Sequence, residues 1–237
     1  MRVKISMGNS KQGRIPSVSL PPVKSCRQCN LPCAGTCYAM RMYNQYDNVR
    51  KAYDSNWDFV NSDLVGYFTD IATFLETDTS LGFRWHVSGD IPNFQYFYYM
   101  VAIANLYPQK RFLAFTKQYE IVNEFCDEFG RDFIPENLNI VFSPWKGLDM
   151  PNPYNFPTAE FWEIELAEEW EDLEEYPIPE LDYKQARCNG NCAYCLIHRI
   201  NCYWTSRYYN GYTVNMLEHG TPKANAWKRK QKALHRV

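Results

Sequence analysis

The sequence predicts an α/β protein built on a mainly parallel sheet. Two observations lead there. Between residues 83 and 142, short apolar runs alternate with segments of helical periodicity, and each run stops at turn-forming or helix-capping residues. The gaps between runs are long enough for the crossover helices that parallel strands need.

Phe83–Val87 (FRWHV) is the first strand candidate, ended by Ser88, Gly89 and Asp90. Pro92 opens the helical segment PNFQYFYYMVAIANL, at a first-turn position where its missing N–H costs nothing. Arg111–Phe115 is a second strand, and Thr116 is a candidate N-cap for a helix ending at Phe129. Leu138–Phe142 is a third strand, stopped by Ser143, Pro144 and Trp145. Upstream, residues 1–37 read as loop with short extended pieces, followed by helices over Tyr38–Tyr53 and Trp57–Leu75. Downstream, Phe161, Trp162, Ile164, Leu166 and Trp170 predict an amphipathic helix with a solvated acidic face. TVNMLEHG is a candidate last strand. The expected organisation is one compact domain: 1–147 a cysteine-bearing loop plus β/α core, 148–187 an acidic helical insert, 188–237 a cysteine-rich segment, final strand and basic tail.

Hydrophobic residues make up 46% of the chain and aromatics 16%, enough for a substantial core and too much for a disordered chain. A net charge of −2 gives no global basic signal for nucleic acid. No apolar run reaches the roughly 18–20 residues that a bilayer span needs, and the first residues lack a signal-peptide core. A cytoplasmic protein with no membrane partner is therefore expected. In that compartment, clustered cysteines stay reduced and commonly hold metal.

Eight of the nine cysteines fall in two tight sets. The first runs Cys26, Cys29, Cys33, Cys37; the second runs Cys188, Cys192, Cys195, Cys202. Compact runs of this kind suit iron–sulfur clusters, and a 4Fe-4S cluster on one or both sets is the reading preferred. Zinc is the alternative, above all for the second set, because Cys26/Cys29 and Cys192/Cys195 are C-x2-C pairs. Ala34, Gly35, Gly190 and Ala193 are small residues that let backbone amides approach sulfur. His198, inside the second set, reads as a surface or outer residue before it reads as a ligand, and Cys126 as a small buried hydrophobe.

Other polar residues stand at strand ends, where parallel sheets collect ligands. His86, Ser88 and Asp90 are candidates for contacting substrate or cofactor, against a simple capping role. Lys117 is a candidate for holding an anionic group at a helix start, against ordinary solvation. His219 closes the last strand. The GNSKQG loop lacks the glycine–lysine arrangement of a phosphate-binding loop. Trp227, Lys228, Arg229, Lys230 and Lys232 form a basic tail, read as solvated, with nucleic-acid phosphate contact as the second reading.

GNSKQG, SLPP, the cysteine run ending in CYAM, FRWHVSGD, the FTK of Phe115–Lys117, CNGNCAYC and VNMLEHG occur in a familiar order. Through them the chain resembles the phage-encoded gene product 88 family, over nearly its whole length apart from the acidic insert and basic tail. It is more distantly similar to the radical SAM enzymes. That likeness implies a partial (β/α) barrel with a 4Fe-4S cluster near the sheet's carboxyl edge, S-adenosylmethionine as a cofactor, a reductant protein as partner and the infected host's cytoplasm as location. It also implies that three cysteines would bind three irons and leave the fourth open. The radical SAM signature is C-x3-C-x2-C followed by an aromatic residue. Here Cys29, Cys33, Cys37 and Tyr38 give C-x3-C-x3-C, while Cys188, Cys192 and Cys195 carry the regular spacing. The second reading is a non-catalytic protein held together by zinc or a fully Cys-ligated cluster, acting in binding or electron transfer.

Overall fold

A computed structural model describes residues 1–9, 13–27, 29, 31–145, 147–162, 185–188, 192–200, 202–204 and 213–217. The described strands are β1 (Ser17–Val18), β2 (Gly82–Trp85), β3 (Arg111–Thr116), β4 (Leu138–Phe142), β5 (Thr158–Trp162), β6 (Gln185–Arg187) and β7 (Thr213–Leu217). They form one sheet in the order β1-β2-β3-β4-β5-β7-β6, with every neighbouring pair parallel. The helices are α1 (Leu31–Thr36), α2 (Tyr38–Gln45), α3 (Asp47–Ser62), α4 (Leu64–Thr77), α5 (Phe94–Leu106), α6 (Tyr119–Phe129) and α7 (Cys192–Ile197). This is the α/β, partial β/α arrangement that the alternating pattern predicts. No described helix is long and apolar enough to cross a membrane.

Strand alternation sorts the two faces of the sheet. Val18, Phe83, Trp85, Phe112, Ala114, Leu138, Ile140 and Phe142 enter a large core with Phe68 and Ile71 of α4, Phe97 and Met100 of α5, and Val122 and Phe125 of α6. Cys126 lies in this core at 2% exposure, as a buried hydrophobe should. Leu113, Val141, Ala159 and Val214 point the other way, into a second core with Ile15, Leu196, Cys202, Tyr203 and Trp204. Helices therefore cover one face, and the second cysteine segment covers the other.

Several local expectations need correction. Phe161 and Trp162 belong to β5, not to the start of an amphipathic helix. The register Thr158↔Thr213 through Trp162↔Leu217 pairs them along β7, and tertiary pairing overrides the 3.6-residue pattern. Ile164, Leu166 and Trp170 lie outside the described residues, as do His219 and the basic tail with Trp227, Lys228, Arg229, Lys230 and Lys232. The 57–75 helix is two helices, because Asp63 leaves helical geometry (φ −155°) and its Oδ1 caps α4 through the Gly66 N–H at 2.8 Å. The 38–53 helix breaks likewise at Tyr46. β2 stops at Trp85, because His86 takes a left-handed φ of 55°. Thr116 is the last residue of β3 rather than a helix cap, and its Oγ1 accepts from the Gln118 N–H at 2.9 Å.

The amino ends of the central strands are pinned by one buried ion pair. Lys110 Nζ donates to Asp78 Oδ2 at 2.7 Å, to the Asp78 carbonyl at 2.7 Å and to the Ser80 carbonyl at 2.8 Å. Both side chains are nearly inaccessible, at 5% and 6% exposure. Removing one partner would strand the other charge in the interior. Lys110→Ala is therefore expected to destabilise the fold by about 3–5 kcal/mol in urea unfolding.

Candidate functional site

The carboxyl ends of β2 and β3 are joined by Asp90. Its Oδ1 accepts from Thr116 Oγ1 at 2.6 Å and from the Ile91 N–H at 2.8 Å, and its Oδ2 accepts from the Lys117 N–H at 2.8 Å. Burial pushes the Asp90 carboxyl above its ordinary range, and these hydrogen bonds oppose the shift. Ser88 is also committed locally: its Oγ donates to the Leu20 carbonyl at 3.0 Å, while the Leu20 N–H donates to the Ser88 carbonyl at 2.9 Å. Both residues thus brace the strand ends against the loop that precedes the first cysteines. Lys117 differs, for its ammonium lies over the Trp145 ring at 4.9 Å and beside Cys33.

The loop itself is tightly wound. Ser25 Oγ donates to the Pro21 carbonyl at 2.7 Å, the Cys26 N–H to the Val23 carbonyl at 3.1 Å, and the Cys29 N–H to the Cys26 carbonyl at 3.1 Å. Gly89 makes room for it. At φ 82° a Cβ there would stand 2.5 Å from Ser25 Oγ and 2.9 Å from the Leu20 carbonyl oxygen. Tyr38, directly after Cys37, donates its hydroxyl to the Val87 carbonyl and so fixes the far end of the run to the same strand end.

The first four thiols are electrostatic neighbours. Burial pushes the Cys26 thiol up to about 12, with Asp90, Cys29 and Cys37 adding to the effect. Burial also raises Cys33 to about 11, helped by Cys29 and Cys37 and opposed by the Lys117 ammonium; Cys33 and Cys29 share a hydrogen bond. The second set behaves alike. Burial raises Cys202 well above the usual thiol range, and Cys188, Cys192 and Cys195 all contribute. No cysteine is in a disulfide. Among the described residues no three His, Cys, Asp or Glu side chains are arranged tightly enough to hold a metal ion.

The two sets occupy different levels of the sheet. The first sits at the carboxyl edge with Asp90 and Lys117. The second, with α7, lies across the face opposite α4, α5 and α6, where Leu196 and Tyr203 pack at Gly82, leaving 2.7 and 3.3 Å for a Cβ there. Trp204 lies against the Arg111 guanidinium at 3.9 Å, at the start of β3. Burial raises the Tyr38 hydroxyl above its ordinary pKa, opposed by the Arg84 guanidinium and aided by Cys37 and Cys192. His198 is exposed and stacks on Tyr194 at 4.0 Å, as a surface residue would. Gly13 also meets the second cysteine segment, since a Cβ on it would fall 2.5 Å from Ala193 Cβ.

With this geometry in place, comparison with known proteins gives a family. The family described as Gene product 88 matches residues 4–201. The chain is a member of the gene product 88 family. No curated protein and no solved structure matches it. The matched span holds the first cysteine set, the sheet through β6 and Cys188, Cys192 and Cys195, and stops one residue before Cys202. The family description names no activity, so the chemistry rests on the residues.

Arg84, inside β2, is the residue that sequence reasoning missed. His86 is 4% exposed, with Nε2 3.0 Å from the Tyr96 hydroxyl and Nδ1 without a hydrogen-bond partner among the described residues. Burial lowers its pKa from 6.5 to about 3, so the folded protein keeps it neutral. The stability this contributes is complete above 6.5 and is lost as pH falls toward 3, by at most about 1.4 kcal/mol per pH unit. His86→Gln is expected to lose less stability than the wild type between pH 7 and 4, measured by urea midpoints. Gly89→Ala is expected to destabilise by about 1–3 kcal/mol and to disturb the 21–26 turn, seen as faster alkylation of Cys26.

Proposed function

We propose that this gene product 88 protein binds an iron–sulfur cluster of the 4Fe-4S type through its first cysteine set. The observation that carries the reading is the gathering of Cys26, Cys29, Cys33 and Cys37 at the carboxyl edge of a parallel sheet, with the Lys117 cation beside Cys33. Ligands of α/β sheets collect at that edge. The donor set fits the group: soft sulfurs on a short, tightly turned segment, whose mutual repulsion as thiolates a cationic iron centre would relieve.

Cys29, Cys33 and Cys37 are the natural triad. The Asp90 carboxylate adds to the rise of the Cys26 thiol and so disfavours a second anion there. When bound, a cluster on three thiolates supplies an iron with a free coordination position, the feature that S-adenosylmethionine chemistry needs. Lys117 would then hold the carboxylate or phosphate of a ligand at that edge, while Ser88 and Asp90 act by fixing the strand ends. A phage-encoded enzyme of the radical SAM kind, served by a reductant protein in the host cytoplasm, is the fuller form of this reading.

Anaerobic purification followed by iron and acid-labile sulfide assays tests it. The expected result is a brown protein with near-equal iron and sulfide, and colourless protein without iron would sink the proposal. Cys33→Ala and Cys37→Ala should each lose most of the first-set iron and its visible absorption, because both belong to the triad. Cys126→Ala should keep full iron, since that thiol is buried behind the sheet among helix residues. Reductant-dependent cleavage of S-adenosylmethionine separates the enzyme from an electron carrier.

A further inference from the structure

The face of the sheet opposite α4, α5 and α6 contains a cation, Arg84, with no anion paired to it among the described residues. Arg84 is the one residue of β2 whose long side chain points to that face, between Phe83 and Trp85, which are buried in the large core. Its guanidinium lies 5.1 Å from the Phe115 ring centroid, and its Nε is shut off from solvent with no hydrogen-bond partner among the described residues. The described ion pairs are Arg50–Asp47 and Lys110–Asp78, so no described carboxylate reaches Arg84. What surrounds it is sulfur and phenol: Tyr38, Cys192, Cys202 and Tyr203. The guanidinium donates a hydrogen bond to the Cys192 sulfur.

An arginine cannot shed its proton in a protein. A guanidinium held in low dielectric without a counter-charge is costly, and pairing restores most of that cost. A thiol is uncharged, and it becomes an anion when it releases its proton to solvent on binding a metal. Four thiolates on a divalent ion leave about two net negative charges, as do four on an oxidised cubane cluster. One guanidinium beside them, donating to a ligating sulfur, offsets part of that charge and so favours the metal-bound thiolates.

We propose that Arg84 is the counter-charge of a metal–thiolate centre held by Cys188, Cys192, Cys195 and Cys202. This deepens the preceding reading, since both treat the cysteines as ligands, but it concerns the other set and holds for zinc or iron alike. It gives the inner face of the sheet a reason to carry arginine in the midst of Leu113, Phe115 and Val141.

The test is anaerobic titration of the full chain with Co2+ alone, following thiolate-to-cobalt charge-transfer absorption and the rise in melting temperature. Two binding steps are expected in the wild type, one lost in Cys33→Ala and the other in Cys192→Ala. Arg84→Met should weaken the Cys192-dependent step by roughly tenfold or more, about 1.4 kcal/mol, and leave the other step unchanged. Arg84→Lys, which keeps the charge, should weaken it much less. Metal-free Arg84→Met should melt no lower than the metal-free wild type, because an unpaired buried charge has been removed. The proposal is overturned if Arg84→Met binds cobalt like the wild type, if Arg84→Lys is as weak as Arg84→Met, or if no Cys192-dependent step exists. It is equally overturned if metal-free Arg84→Met melts well below wild type with an unchanged cobalt shift, which would make Arg84 a structural residue. Cobalt binding does not depend on the iron assay, so an iron-free preparation would reject the cluster at the first set and leave this result standing.

Discussion

Asp90 is the buried carboxylate on which the site's geometry depends. It takes one hydroxyl and two backbone N–H donors from the ends of β2 and β3. Parallel strands have no hairpin to fix where they end relative to one another, and here a side chain does that work. With these two ends locked, Ser88 can hold Leu20, Gly89 can let the 21–25 turn approach, and Cys26 begins its run against a rigid wall. The carboxylate is a fastener for the strand ends.

The sheet divides labour between its faces. One face is a conventional apolar interface with α4, α5 and α6, dense in aromatic contacts such as Phe68–Tyr96 at 4.8 Å and Phe97–Phe125 at 5.1 Å. The other mixes Leu113, Val141 and Ala159 with Arg84 and Asn139, and is covered by sulfur-bearing chain rather than by helices of the β/α repeat. A mixed, cysteine-covered face thus lies against one that is apolar and aromatic.

Much of this was legible because it is local. The strands at 111–116 and 138–142 declared themselves by apolar runs bounded by turn residues, and the two cysteine sets by spacing. What escaped was decided over long sequence distances. β5 reads as helix because Phe161, Trp162 and the residues after them repeat at helical spacing, and only pairing with residues 213–217 makes it a strand. β1 is two residues long and exists because β2 lies beside it. Ser88 and Asp90 stand at the strand end as their place in the sequence implies, and only the fold shows that their oxygens meet Leu20, Thr116 and the Lys117 N–H. Arg84 is hidden because a single cation in an apolar strand looks like an outward-facing residue. The alternation from Phe83 to Trp85 was the available signal: with both neighbours on the buried helix side, Arg84 had to face the opposite side, and whether that side is covered depends on residues 192–204.

The covering of the inner face has a temporal side. β2, β3 and β4 are complete once residue 142 has left the ribosome, yet Leu196, Tyr203 and Trp204 come about sixty residues later. At 5–20 residues per second, that delay is roughly 3–12 s. During it, the nascent sheet shows Leu113, Phe115 and Val141 to the cell, and its free edge at β4 has no strand beside it. Such a surface invites wrong partners. The chain thus has a vulnerable interval during synthesis, which closes only when its second cysteine segment arrives and folds down onto Arg84.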